Sequence, residues 1–170
     1  SHLNIPVAHI QAGEKSGNID GHTRHAITKM AHIHFCSNKD SYDRVVKLGE
    51  ESYRIHNTGA PLIDELIDPE FKTDNIRKKL NIPEDNDIFL IVNHSISEES
   101  HLADKQMSAL ITALTDYNNI IKILIMPNSD SGSLKIRKII HEQVENNKDY
   151  YIFFNLPRID YISIMRIARL

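Results

Sequence analysis

Residues 9–34, HIQAGEKSGNIDGHTRHAITKMAHIH, decide how this chain is read. A short apolar run, residues 5–10, ends at Gly13 and Glu14. A polar, Gly-containing loop follows. Asp20 then opens a pattern in which Ala26, Ile27, Met30 and Ala31 recur at helical spacing. A strand that gives way to a loop and a helix is the repeating step of an open α/β sheet. Such sheets bind ligands at the carboxyl edge of their strands. Gln11, Glu14, Asp20, Arg24 and His25 crowd that edge here, a mix of acids, a cation and an imidazole suited to an anionic small molecule.

The same step recurs outward along the chain. Residues 34–37 read as a strand, 39–48 as a helix ended by Gly49, and 53–57 as a further strand. Residues 60–86 carry Pro61, Pro69 and Pro83 among many charges and read as a crossing with one short helix over 73–80. Residues 88–92, IFLIV, are almost wholly apolar, as expected of a strand buried on both faces. Then follow a long helix over 98–117, a strand over 121–126, a helix over 133–145 and a strand over 151–154. A last helix, from 160, stops in mid-pattern. The alternation predicts parallel sheets with helices on both faces. It divides the chain into 1–60, the end of a first domain; 61–86, the crossing; and 87–170, the front half of a second. Three strands and an unfinished helix make an incomplete unit, so the chain reads as a piece of a longer protein.

Composition narrows the partners. The 170 residues are 41% hydrophobic and 25% charged, ordinary for a globular protein. A formal net charge of −3 gives no electrostatic reason to expect nucleic acid or an anionic membrane as partner. No apolar run approaches the roughly 20 residues needed to cross a bilayer. The single Cys36 has no internal disulfide partner, which points to a reducing, cytoplasmic compartment. His22 and His25, with His32 and His34 nearby, mimic a metal cluster. Helical geometry turns His32 away from His22, and no metal is expected.

Several motifs then resemble one family. They are His9-Ile10-x-x-Gly13-Glu14; Ile19-Asp20-x-x-x-Arg24-His25-Ala26-Ile27-Thr28-Lys29-Met30-Ala31-His32; Thr58-Gly59-x-Pro61; Asn93-His94; and Met126-Pro127-Asn128-Ser129-Asp130-Ser131-Gly132-Ser133. In this order they resemble the hydrolysing UDP-N-acetylglucosamine 2-epimerases, which begin sialic acid synthesis and have relatives acting on sialic-acid-like sugars. The resemblance implies two Rossmann-like doubly wound domains of the glycosyltransferase-B type with the nucleotide-sugar between them, only partly covered here. It implies no cofactor, a homodimer or homotetramer, and a piece that does not turn over substrate alone.

The reaction implied is elimination of UDP to a 2-acetamidoglucal, followed by addition of water to give N-acetylmannosamine. It needs carboxylates for proton transfer and cations for the departing diphosphate. The resemblance assigns catalysis to Asp20, Glu14, His94 and Arg24. It assigns substrate binding to Gln11, His25, Asn128, Asp130, Gly132, Ser133 and Leu156. Each has a plainer reading: Asp20 as a helix cap, Glu14 as a loop charge, Arg24 as half of a surface ion pair, and residues 128–133 as an ordinary turn. Two positions depart from the family: Gln11, where many relatives have an acid, and Ser95, where Pro commonly follows the histidine. They keep open UDP-N,N'-diacetylbacillosamine, the legionaminic acid precursor, as substrate. A retaining glycosyltransferase on the same fold and a non-catalytic nucleotide-sugar sensor are also compatible with the sequence.

Overall fold

The computed structural model describes residues 4–16, 20–68 and 75–169. They form two compact units, Ser1–Pro69 and Glu70–Leu170, each an α/β unit with its own three-stranded parallel sheet.

In the first unit β1 (Ala8–Ile10), β2 (Ile33–Cys36) and β3 (Ile55–Asn57) lie in sequence order. Ala8 is in register with Ile33, and His34 with Ile55. Helix α1 (Asp20–Met30) joins β1 to β2, and α2 (Lys39–Lys47) joins β2 to β3. Local chemistry sets the limits of α2. The Asn38 side chain accepts from the Ser41 N–H at 2.8 Å, filling a helix donor that has no carbonyl partner. At the other end Gly49 takes φ +87°. Its N–H reaches the Val46 carbonyl, and that of Glu50 reaches Val45. This paired closure is available at little cost to glycine, and it delivers Glu50 into the unit.

The apolar core here is small: Ala12, Cys36, Val45 and Ile55, with Tyr42 against them. Polar groups fill the rest. His34 is fully buried with Nε2 3.3 Å from Oε2 of Glu50, and the other Glu50 oxygen sits 2.6 Å from Nζ of Lys29. The Lys29 contact is the main reason that the Glu50 carboxyl is held below its ordinary range.

In the second unit β4 (Asp87–Val92), β5 (Ile120–Ile125) and β6 (Tyr150–Phe153) again pair in sequence order. Here both sheet faces are covered. Phe89, Ile91 and Leu124 pack with Met107 and Ile111 of α5 (Ala103–Leu114) and with Ile136 and Ile140 of α6 (Ser133–Gln143). Ile88, Ile121 and Ile123 pack on the opposite face with Ile76 of α4 (Ile76–Leu80) and Ile164 of α7 (Arg158–Ile167). This is why 88–92 carries no polar alternation. The chain changes face after β6, so the sheet is doubly wound, and such sheets take their ligands outside the carboxyl ends of their strands. Asp160, 2% exposed, ties α7 to α4 through both oxygens, each 2.9 Å from Nζ of Lys79.

Several expectations need correction. Residues 61–67, read as crossing, form helix α3 (Pro61–Ile67), because Pro61 takes the first helical position, where its missing N–H costs nothing. The strand expected over 53–57 begins with a 3-10 turn, Ser52–Arg54. The long helix over 98–117 is a 3-10 segment, Ser97–Leu102, followed by α5. The short helix expected from 73 runs Ile76–Leu80; residues 73 and 74 lie outside the described residues. Asp20 is the first helical residue of α1 and not the cap before it. Among the described residues, no helix is long and apolar enough to cross a membrane.

Candidate functional site

At the carboxyl edge of the first sheet the backbone turns sharply. Gln11 adopts φ 58°, an uncommon value for a residue with a side chain, and is exposed. Gly13 follows at φ 76°, where a Cβ would collide with the Ser41 carbonyl and the Val45 side chain. Only glycine lets the loop pass α2 this closely. Arg44 of α2 donates to the Gly13 carbonyl and holds the turn from below.

Glu14 leaves this turn with both oxygens engaged. Oε2 accepts from Arg24 at 3.0 Å, and Oε1 from the Ser37 hydroxyl at 2.8 Å. Arg24 therefore pairs with Glu14. Asp20 lies one helical turn before Arg24 on the same face of α1 and is exposed. Arg24 is itself steadied. The Thr28 hydroxyl donates to its carbonyl at 2.9 Å and lies 3.2 Å from Nδ1 of His9. With its one proton committed to that carbonyl, the hydroxyl receives the His9 N–H. Burial, and then the neighbouring His34 and Arg24, hold His9 below the usual imidazole range. His25 is half-buried, and its Nδ1 has no hydrogen-bond partner among the described residues. Ser37, Thr28, His9 and Arg44 were not singled out as site residues in the sequence. Ser37 had a signal, since it directly follows β2 and so reaches the same sheet edge as Glu14.

The second unit builds its own edge. His94 follows β4 and is exposed. Its Nδ1 accepts the Asn128 N–H at 3.3 Å. Residues 128–133 form the turn into α6: Asn128 Nδ2 donates to Asp130 at 2.6 Å, the Asp130 N–H to Asn128 Oδ1 at 3.1 Å, and the Ser133 N–H to the Asp130 carbonyl at 3.0 Å. Gly132, at φ 92°, fits against Ala103 and Ser95. Ser95 is buried, and its hydroxyl donates to the Ser131 carbonyl. A proline there has no hydroxyl for this tie. A cavity of about 350 Å³ lined by Val92, His94, Leu156, Arg158 and Tyr161 opens at the carboxyl ends of the strands. Leu156 and His94 thus share one hollow. A second, of about 670 Å³, is bordered by Ser100, His101 and residues 129–135 with Arg137. Tyr161, Ser95 as an anchor, and Arg137 were missed in the sequence. Arg137 lies one turn beyond Ser133 on α6, a spacing that sends a long side chain back toward the turn. Among the described residues no group of three or more His, Cys, Asp or Glu is arranged to hold a metal ion.

Known proteins resemble the chain over nearly all of its length. The family model described as UDP-N-acetylglucosamine 2-epimerase matches residues 1–170. A UDP-N,N'-diacetylbacillosamine 2-epimerase (hydrolyzing) of Legionella pneumophila is 34% identical over 96% of this chain and 43% of its own length. A GDP/UDP-N,N'-diacetylbacillosamine 2-epimerase (hydrolyzing) of Campylobacter jejuni is 30% identical over 98% and 44%. The crystal structure of UDP-GlcNAc 2-epimerase from Neisseria meningitidis bound to UDP-GlcNAc matches with a TM-score of 0.76 at 16% identity, over 98% of this chain and 47% of that one. The chain thus spans less than half the length of the relatives it matches. Its fold is that of the glycosyltransferase-B type, in part. The chain belongs to the UDP-N-acetylglucosamine 2-epimerase family.

Proposed function

We propose that this chain is part of a hydrolysing 2-epimerase acting on a UDP-activated 2-acetamido sugar, UDP-N-acetylglucosamine in the first instance. The observation that carries the reading is the charged cluster at the first sheet edge: Glu14 gripped by Arg24 and Ser37, with Asp20 one turn along the same helix face. The C2 proton of the sugar is poorly acidic, so its removal needs a carboxylate placed against it while UDP leaves C1. Asp20 is assigned that acid/base role. Glu14, with both oxygens occupied, orients Arg24, whose charge supports the departing diphosphate. His94 donates to the leaving group. His25 and Gln11 contact the sugar, residues 128–133 and Leu156 the nucleotide. The C1–O bond breaks with loss of the C2 proton; water then supplies the C1 hydroxyl, and a proton returns to C2. The resemblance further supports a cytoplasmic homo-oligomer serving sialic-acid-type sugar synthesis.

A second substrate has a specific observation in its favour. Two relatives, at 34% and 30% identity, are diacetylbacillosamine 2-epimerases, beside a UDP-N-acetylglucosamine 2-epimerase of Neisseria meningitidis that is also 30% identical. Incubation of the full-length protein in D2O with each UDP-sugar, followed by proton NMR, tests both. Free UDP with C2-deuterated N-acetylmannosamine is expected from the first. Free UDP from the bacillosamine sugar alone moves the assignment to that substrate. UDP-linked epimer without release overturns hydrolysis, and binding without turnover overturns the enzyme reading. Asp20→Asn is expected to lower turnover on the order of 10²- to 10⁴-fold; unchanged turnover removes Asp20 from its role.

A further inference from the structure

Arg137 grips the peptide that meets His94. Its Nη2 donates to the Pro127 carbonyl at 3.0 Å and to the Asn128 carbonyl at 3.4 Å. The Pro127 C=O and the Asn128 N–H are the two ends of one planar peptide group. Fixing the oxygen on one side therefore fixes the direction of the hydrogen on the other. That hydrogen meets Nδ1 of His94. Nδ1 cannot hold a hydrogen of its own in this arrangement, so the proton of the neutral ring sits on Nε2. The guanidinium is kept in place by the Phe154 ring, 5.8 Å from its centre, and by its origin on α6, whose first turn begins the same loop. Ser95, bonded to Ser131, pins that loop from the β4 side.

We propose that Arg137 is a positioning residue for His94. By holding the 127–128 peptide it keeps the imidazole in the Nε2–H form, a hydrogen-bond donor and not a base. The donor's target, a phosphate oxygen of the leaving UDP, rests on the proposed function; the tautomer does not. A planar fork suits two neighbouring carbonyls better than the point charge of lysine.

The test is imidazole nitrogen NMR on the histidine-labelled full-length protein, at a pH where His94 is neutral. The unsubstituted chain is expected to show His94 wholly as Nε2–H. Arg137→Met keeps the apolar stem beside Phe154 and is expected to give a mixture of both tautomers. Lys138→Met, one residue on and facing solvent, is expected to change nothing. His94 as Nδ1–H in the unsubstituted chain, or an unaltered Nε2–H signal in Arg137→Met, overturns the proposal. Should Arg137→Met lose the fold, Arg137→Lys replaces it with the same reading. In the full-length protein Arg137→Met should lower kcat on the order of 10- to 100-fold, with KM for the UDP-sugar little changed. If the full-length protein turns over no UDP-sugar, the functional reading fails while the tautomer result stands. If it does turn over and the tautomer is unmoved in the variant, the positioning role fails alone.

Discussion

Both units carry three parallel strands in sequence order, but different forces hold them. The second sheet lies between two apolar layers, so every strand residue along 88–91 meets hydrocarbon or a neighbouring strand. The first sheet turns one side to α1 and α2. Among the described residues its buried interior mixes Ala12, Ala31, Cys36, Val45 and Ile55 with His34, Thr28 and the Glu50 carboxylate. Apolar burial is insensitive to pH and roughly proportional to area. A buried ion pair depends on protonation and on each partner being present. On the covered side of the first sheet a carboxylate therefore sits beside apolar groups, and charge also orders Glu14 and Arg24 at its edge, whereas the second unit orders its loops through backbone carbonyls and amides.

The largest expected effect breaks the apolar side of this contrast. Ile123 is fully buried in the central strand of the second sheet. Ile123→Ala should cost about 2–5 kcal/mol, in calorimetry or denaturant unfolding, with little dependence on pH. A loss under about 1 kcal/mol would mean that this core does not carry the unit.

A smaller effect sharpens the polar side. The Glu50 carboxyl is lowered from 4.5, chiefly by Lys29, so the folded chain binds fewer protons there than the unfolded one. Its stabilisation is present above the free carboxyl value and is lost as pH falls through the lowered one. His9, lowered from 6.5, has the same sign: its contribution is complete above that value and fades on acidification. Stability of the first unit, read by hydrogen exchange of β2 amides, should fall in two stages as pH drops. Glu50→Gln should cost about 1–3 kcal/mol at neutral pH and abolish the lower stage while leaving the upper. A variant with both stages intact would show that another group sets the acid response.

The smallest effect is local. Asn38→Ala removes the cap of α2 and should cost about 1 kcal/mol. The same exchange measurement should show it in α2 and β3 and not in the second unit.

Much of the fold was legible because it rests on short-range rules. Residues 88–92 announced a strand covered on both faces, Gly49 ended α2, and the changes between periods marked strand from helix. The parts that escaped were those where local signals conflict. Pro61 looked like a breaker but starts a helix, and Asp20 looked like a cap but lies inside one.

By itself the sequence determined the alternation of strands and helices, the parallel sheets and, through its motifs, the family. These depend on spacing along the chain, which periodicity reads directly. Only the tertiary structure decided that Glu14 takes Arg24 and Ser37 together, that Glu50 closes on His34, and that Arg137 turns the 127–128 peptide onto His94. Those partners stand 10, 23, 16 and up to 43 residues apart. Their pairing depends on how the backbone returns in space, and a linear pattern holds no record of the side on which a long side chain comes to rest.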